Sequence, residues 1–267
     1  MEPDAEKAFL TSHKSHHPRH LLARWRRVAK ATGLKVGTLA KDAKYPIVCL
    51  APQRPREGKT LYLSAGIHGD ESAGILGLLI WAEENPLHLA SCDVLIFPLF
   101  NPHGLAENTR RDSRQRDLNR CFHDPRSCES IQAWQDLVAD RSFDACLCLH
   151  EDYDAQGCYL YELTREAKPL GPSLLDASNR YIPSDPRRTI DGRRLSARGI
   201  FQRKRSPKMP EKPEAIVLFD HHTNLSITFE TPSEWSLWHR VRAQVAAIET
   251  VTRHILDDPQ RTTEINP

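Results

Sequence analysis

The stretch Leu61 to Glu71, LYLSAGIHGDE, decides how the rest of the chain is read. Leu61 to Ile67 is apolar or small throughout and carries no charge, which predicts a buried strand. It runs directly into His68-Gly69-Asp70-Glu71, and Ser72 to Ile80 (SAGILGLLI) predicts a helix. A His at the carboxyl end of a strand and a Glu three residues later, at the entrance to a helix, can face one point in space. That point is where open α/β sheets bind ligands, beyond the carboxyl ends of their strands. An imidazole nitrogen and a carboxylate oxygen are two of the three protein ligands of a catalytic zinc. The alternative is an ordinary βα turn with a polar His and a capping acid. The metal reading therefore depends on a third ligand, a base and a substrate grip elsewhere in the chain.

Length and composition bound the answer. A chain of 267 residues suits one substantial α/β domain or two small ones. A net charge of +2 implies neither a strongly acidic nor a strongly basic partner, so neither nucleic acid nor a membrane surface is expected. The first thirty residues are polar and rich in His and Arg, and no long apolar run follows, so the expected location is cytoplasmic. Seven cysteines lack CxxC spacing, and several lie in apolar runs such as Ala145-Cys146-Leu147-Cys148-Leu149. Reduced, buried thiols fit that pattern better than a disulfide framework.

Residues 1–34 form a basic extension in which Leu21, Leu22, Trp25, Val28 and Ala29 fall at helical spacing. A surface helix with a solvated cationic face, packed on the domain, is expected; the patch lacks the aromatic interleaving of a nucleic-acid site. Leu34 to Leu50 reads as a hairpin, Asp93 to Phe100 as a buried strand stopping at Asn101-Pro102-His103-Gly104, and Leu105 to Phe122 as a long functional loop. Ser130 to Asp140 predicts a helix, Phe143 to His150 a strand that again ends on a histidine, and Gly157 to Leu163 a further strand. Residues 168–214, rich in Pro and Arg, are expected to be an insertion folded over the same sheet. Ile216 to Phe219 and Ser226 to Phe229 predict short strands, the second ending at Glu230-Thr231-Pro232, and Trp235 to Leu256 predicts a closing helix. Residues 35–267 are thus read as a single catalytic domain.

His150 completes a His₂Glu set with His68 and Glu71, leaving an open fourth position. Glu230 is then an acid beside the metal, and amide hydrolysis needs one to take a proton from water and deliver it to the leaving amine. A core histidine and a strand-end carboxylate are the ordinary alternatives, each less able to explain three coincident strand-end placements. In the loop, Arg110, Asn119 and Arg120 can hold a carboxylate and stabilise an oxyanion. Asp117 is a fitting acceptor for the free N–H of a zinc-bound histidine. Arg111, Arg114 and Arg116 read as solvated.

As a set, HGDE at 68–71, NPHG at 101–104, NTR…DLNR across 108–120, the strand-end His150 and TFETP at 228–232 resemble the M14 (funnelin) zinc carboxypeptidases over about residues 35–255. The resemblance implies an α/β fold, a three-layer α/β/α sandwich around a central mixed, twisted sheet, and one Zn²⁺ on His68, Glu71 and His150. It implies Glu230 as general base and acid, Asn119 and Arg120 on the substrate's terminal carboxylate, and Arg110 on the scissile carbonyl. The implied substrate is a small peptide or amide with a free carboxylate. Within the family the chain looks most like the bacterial murein-peptide amidase branch, which cuts peptidoglycan-derived peptides. The family's substrate-capping tyrosine has no clear counterpart; Tyr181 lies in the corresponding region without a surrounding motif.

A second enzyme class shares much of this site. N-acyl amino-acid deacylases of the aspartoacylase and succinylglutamate desuccinylase type usually carry a β-rich domain after the catalytic Glu, and only 37 residues follow Glu230 here. A non-catalytic protein on a decayed hydrolase scaffold would lack a ligand or the base, and none is lacking.

Overall fold

The computed structural model describes residues 3–256 apart from 125, 127 and 167. Two helices, α1 (Pro3–His13) and α2 (Pro18–Thr32), precede a hairpin of β1 (Leu34–Asp42) and β2 (Tyr45–Pro52). Then follow β3 (Thr60–Ala65), α3 (Ser72–Glu84), α4 (Pro86–Ser91), β4 (Asp93–Phe97), α5 (Pro102–Glu107), α6 (Glu129–Val138), β5 (Ala145–Asp152) and β6 (Tyr159–Thr164). The later part holds α7 (Gly171–Ser178), a two-stranded hairpin of β7 (Thr189–Ile190) and β8 (Arg193–Arg194), β9 (Ile200–Arg203), α8 (Glu214–His221), β10 (Leu225–Pro232) and α9 (Leu237–Leu256). Eight strands form one mixed sheet in the order β1-β2-β4-β3-β5-β10-β6-β9. Its centre, β4-β3-β5-β10, is parallel, so four strand ends that include those of β3, β5 and β10 open on the same side of the molecule.

Strand periodicity sorts the side chains into two cores. On β5, Ala145, Leu147 and Leu149 join the core under α2, α3, α7 and α9, whereas Cys146 and Cys148 join the opposite core under α6 and α8. On β3, Leu61 and Leu63 take the first face and Tyr62 the second; Val94 and Ile96 oppose Leu95 and Phe97 on β4 in the same way. This is the expected three-layer α/β/α arrangement. Both faces of the central strands are covered, which is why these strands read as continuous apolar runs rather than alternating ones. All seven cysteines are free thiols, six of them buried.

Three expectations change. Ile216 to Phe219 lies in helix α8, not in a strand; a four-residue apolar run has no period by which to tell the two apart, and all four residues are buried. The face of α2 is not simply solvated. Arg24 is buried and makes two hydrogen bonds to Glu83 of α3, at 2.9 and 2.5 Å, beside the buried Trp25. The segment 168–214 holds regular elements of its own, α7, the β7–β8 hairpin and β9, the last of which extends the central sheet parallel to β6.

Among the described residues no helix is long and apolar enough to cross a membrane.

Candidate metal centre and substrate cavity

β3 ends at Ala65 and the chain turns at Gly66, whose φ of +66° lies in the left-handed region open to glycine. The turn carries His68 over the end of the sheet, and Glu71 follows as the residue that caps α3. Gly69 makes this turn possible: a Cβ there would sit 2.0 Å from the backbone carbon of Gly104. The HG of the first motif is thus pressed against the NPHG of the second. Asn101 Oδ1 accepts from the Gly104 N–H at 2.8 Å while its Nδ2 donates to the Arg110 carbonyl at 3.1 Å, so NPHG orients the loop that carries Arg110.

His68, Glu71 and His150 are brought together, with ligand atoms all within 4.8 Å of one another. Each side chain is nearly fully buried. Glu71 bridges the two imidazoles, Oε1 at 2.5 Å from His68 Nδ1 and Oε2 at 2.9 Å from His150 Nδ1. The other His68 nitrogen, Nε2, lies 3.3 Å from Asp117 Oδ1, an ion-pair separation without hydrogen-bond geometry. Two nitrogens and a carboxylate converging in a buried corner, with a second carboxylate behind one imidazole, match the donor set of a hydrolytic zinc site. The donors fit the metal.

The electrostatics agree. Burial works to raise the Glu71 carboxyl, but the His68 and His150 imidazoles outweigh it and hold it down at about 2. Burial works to lower His68, and Glu71 with Asp117 lift it to about 8. Burial also works against the charged form of Asp117, yet its contacts with His68 and Arg110 hold it below the usual carboxylate range. Glu230 differs: burial pushes it up to about 8 against the pull of His150, and Glu71, Asp152 and Asp191 add to the rise. A cation on the neighbouring ligands would favour its ionised form.

β10 lies between β5 and β6, and its register pairs Glu230 with His150 on one side and Tyr159 on the other. Ser226, Thr228 and Glu230 alternate with Ile227 and Phe229, which face the α3–α9 core. On β6, Tyr159, Tyr161 and Leu163 share the Glu230 face. That stretch of sheet is the floor of a cavity of about 300 Å³. The cavity is lined by His68, Glu71, His150 and Glu230 together with Arg110, Asn119 and Arg120.

The loop residues divide their work. Asp117 Oδ2 accepts from Arg110 Nε at 3.0 Å, and Arg110 Nη1 lies 3.3 Å from His68 Nδ1 and 3.7 Å from Glu71 Oε1. Asn119 Oδ1 accepts from the Glu214 N–H at 2.9 Å, so its amide nitrogen is the atom left for a ligand. Arg120 Nη1 donates to the Asn119 carbonyl at 3.0 Å, and among the described residues no carboxylate lies within ion-pair distance of it. Arg116 is not free in solvent: it pairs at 2.6 Å with Asp112, which is buried and organises the loop. Tyr181 lies away from the cavity, its ring 6.0 Å from that of Trp238. Glu151, beside His150, has its carboxylate committed to the Ala73 N–H and to Arg240. Cavity residues that the sequence reading missed are Tyr159, Tyr161, Asp191 and Arg193. The Asp191-Gly192 pair, a strong two-residue hairpin signal, was the available clue to the last two.

Residues 57–156 match the succinylglutamate desuccinylase/aspartoacylase catalytic domain family. No curated protein matches the chain. In three dimensions it resembles two candidate metallopeptidases from Shewanella. The one from Shewanella amazonensis has a TM-score of 0.78 at 23% identity, covering 90% of this chain and 94% of that one. The one from Shewanella denitrificans has a TM-score of 0.80 at 24% identity, covering 90% and 91%. A metallo-carboxypeptidase from Pseudomonas aeruginosa, in complex with (2-guanidinoethylmercapto)succinic acid, has a TM-score of 0.58 at 18% identity, covering 88% of this chain and 68% of that one. The chain has a carboxypeptidase-like α/β fold.

Proposed function

We propose that this protein is a zinc-dependent carboxypeptidase-type hydrolase that cuts an amide bond beside a free carboxylate in a small peptide or peptide-like substrate. The observation that carries this reading is the shared cavity. It joins the His68–Glu71–His150 donor set and Glu230 to Arg120, a guanidinium with no carboxylate partner among the described residues. A planar guanidinium meets a carboxylate with two parallel charge-assisted hydrogen bonds, and the Asn119 amide adds a donor beside it. Held there by its end, the substrate would present its last amide bond to the donor cluster.

His68, Glu71 and His150 would hold the metal, with Asp117 orienting the His68 ring. Zinc would supply Lewis acidity toward the carbonyl and lower the pKa of an attacking water. Glu230 takes the proton of that water on its carboxylate and passes it to the leaving nitrogen. Arg110, held by Asp117, presents its guanidinium to the oxygen on which charge develops in the transition state. The seven free thiols fit a reducing, cytoplasmic setting.

Deacylation of an N-acyl amino acid is the second reading, favoured by the family match over residues 57–156. Metal content together with turnover on two panels, peptides with varied C-termini and N-acyl amino acids, separates the two. One bound zinc and a strong preference for free over amidated C-termini is the expected result. Equal cutting of amidated and free peptides, or turnover confined to the N-acyl amino acids, rules out the carboxypeptidase.

A further inference from the structure

We propose that the β7–β8 hairpin builds a second anion subsite, with Arg193 as its anchor, so that the substrate carries a second carboxylate beside the terminal one. This rests on the carboxypeptidase reading and names its substrate class. The hairpin turn is Asp191-Gly192, and both residues have positive φ, +50° and +67°, as a two-residue turn of the favoured hand requires. Its tip is tied to the cavity floor, because Tyr161 Oη donates to Asp191 Oδ2 at 2.6 Å. Two residues past the tie, Arg193 lines the same cavity as Glu230 and Arg120.

Among the described residues the charge on Arg193 is not met by an opposite charge. Among the described residues no carboxylate lies within ion-pair distance of its guanidinium; its nearest aromatic partner is the Phe201 ring, at 6.0 Å. Arg203 stacks on that same ring at 4.7 Å, which adds a second positive charge to this wall. A guanidinium brought to a cavity on a pinned hairpin, with no carboxylate partner among the described residues, is placed for an anionic ligand, and its planar fork suits a carboxylate. The wider charge distribution agrees. Residues 187–212 hold ten lysines and arginines against two acids, Asp191 and Glu211, while the whole chain has a net charge of only +2. The rest of the molecule is therefore net negative, and this basic segment is the one that brings Arg193 to the cavity wall.

The test compares N-blocked dipeptides ending in Glu with those ending in Gln, and a second pair with Glu or Gln in the penultimate position. The proteins are the wild type, Arg193→Gln, Arg193→Lys and, as a control, Arg194→Gln, the exposed neighbour outside the cavity. Specificity constants are measured at low and moderate salt, and calorimetry measures binding of the same peptides to zinc-loaded Glu230→Gln protein with and without Arg193→Gln. In one of the two pairs the wild type should favour the Glu peptide by about 10–100-fold, the range for a hydrogen-bonded charge pair. Arg193→Gln should bring that ratio close to one, Arg193→Lys should restore part of it, and Arg194→Gln should leave it intact. Equal handling of Glu and Gln peptides in both pairs overturns the subsite, as does a preference that survives Arg193→Gln or disappears with salt and with Arg194→Gln alike. If no peptide is turned over, the carboxypeptidase reading fails, and the calorimetric difference still decides the subsite.

Discussion

Glu230 and His150 are register partners on adjacent parallel strands, with side chains on the same face of the sheet. The pairing sets the proposed base beside a proposed metal ligand through the backbone ladder rather than through a flexible loop. A one-residue slip of β10 would turn Glu230 into the α3–α9 core and bring Phe229 to the cavity. Glu230→Gln keeps the shape of the side chain but cannot take a proton. It should retain one zinc per chain by metal analysis and lose about 10²–10⁴-fold in kcat. Near-normal turnover in a zinc-loaded mutant would move the base elsewhere, with the cavity-lining Asp152 the next residue to test.

The two cavity arginines should fail differently. Arg120→Ala removes the grip on the terminal carboxylate and should mainly raise KM, by about 10–100-fold, and erase the preference for free over amidated C-termini. Arg110→Ala removes a donor that matters as charge develops and should mainly lower kcat, by about 10²–10³-fold. Steady-state kinetics on one peptide in both forms checks the pair. An identical KM-against-kcat pattern in the two mutants would contradict the division of roles.

Gly69 is a steric requirement of the turn that joins His68 to Glu71. Its missing Cβ would meet the Gly104 backbone carbon at 2.0 Å, and neither backbone segment can withdraw without displacing His68 or the loop that holds Arg110. Gly69→Ala should therefore cost stability at or above the upper end of the about 1–3 kcal/mol typical of overpacking, and should weaken zinc binding. Thermal unfolding with and without zinc measures both effects. A mutant with wild-type Tm and metal affinity would show that the contact is slack.

Below the cavity, Glu214 is buried and accepts hydrogen bonds from Tyr62 and Ser64, and its burial raises the carboxyl above the usual glutamate range. The folded chain thus keeps a proton there that the unfolded chain releases near pH 4.3. More protons bound in the folded state means that stability falls as pH rises from that value toward the raised folded one. For one proton the slope is at most about 1.4 kcal/mol per pH unit. Glu214→Gln should fold and should flatten this part of the pH–stability curve, as denaturant titrations between pH 5 and 8 would show. An unchanged slope would mean that Glu214 is ionised in the fold.

Composition and periodicity alone determined a good deal. The apolar runs of β3, β4 and β5, each long enough for a strand and closed by a polar turn, marked the parallel centre of the sheet, because strands covered on both faces have no polar side to show. The histidines and acids at their ends marked the candidate donors, since polar residues ending buried strands emerge together on one side of a parallel sheet. What a single strand's pattern could not say is which neighbour it would take. The insertion of β10 between β5 and β6 is a long-range pairing, and it alone brings Glu230 to His150 and sets Tyr159 and Tyr161 along the cavity floor. The same limit explains α8: four apolar residues carry no period, and burial against β5, β6 and β10 decided for the helix. Arg24 and Arg116, which look solvated in the sequence, are paired because distant segments deliver Glu83 and the loop folds back around Asp112. Local spacing shows which groups are available, whereas the tertiary fold decides which of them meet, because hydrogen-bond ladders and burial act between residues far apart in the chain.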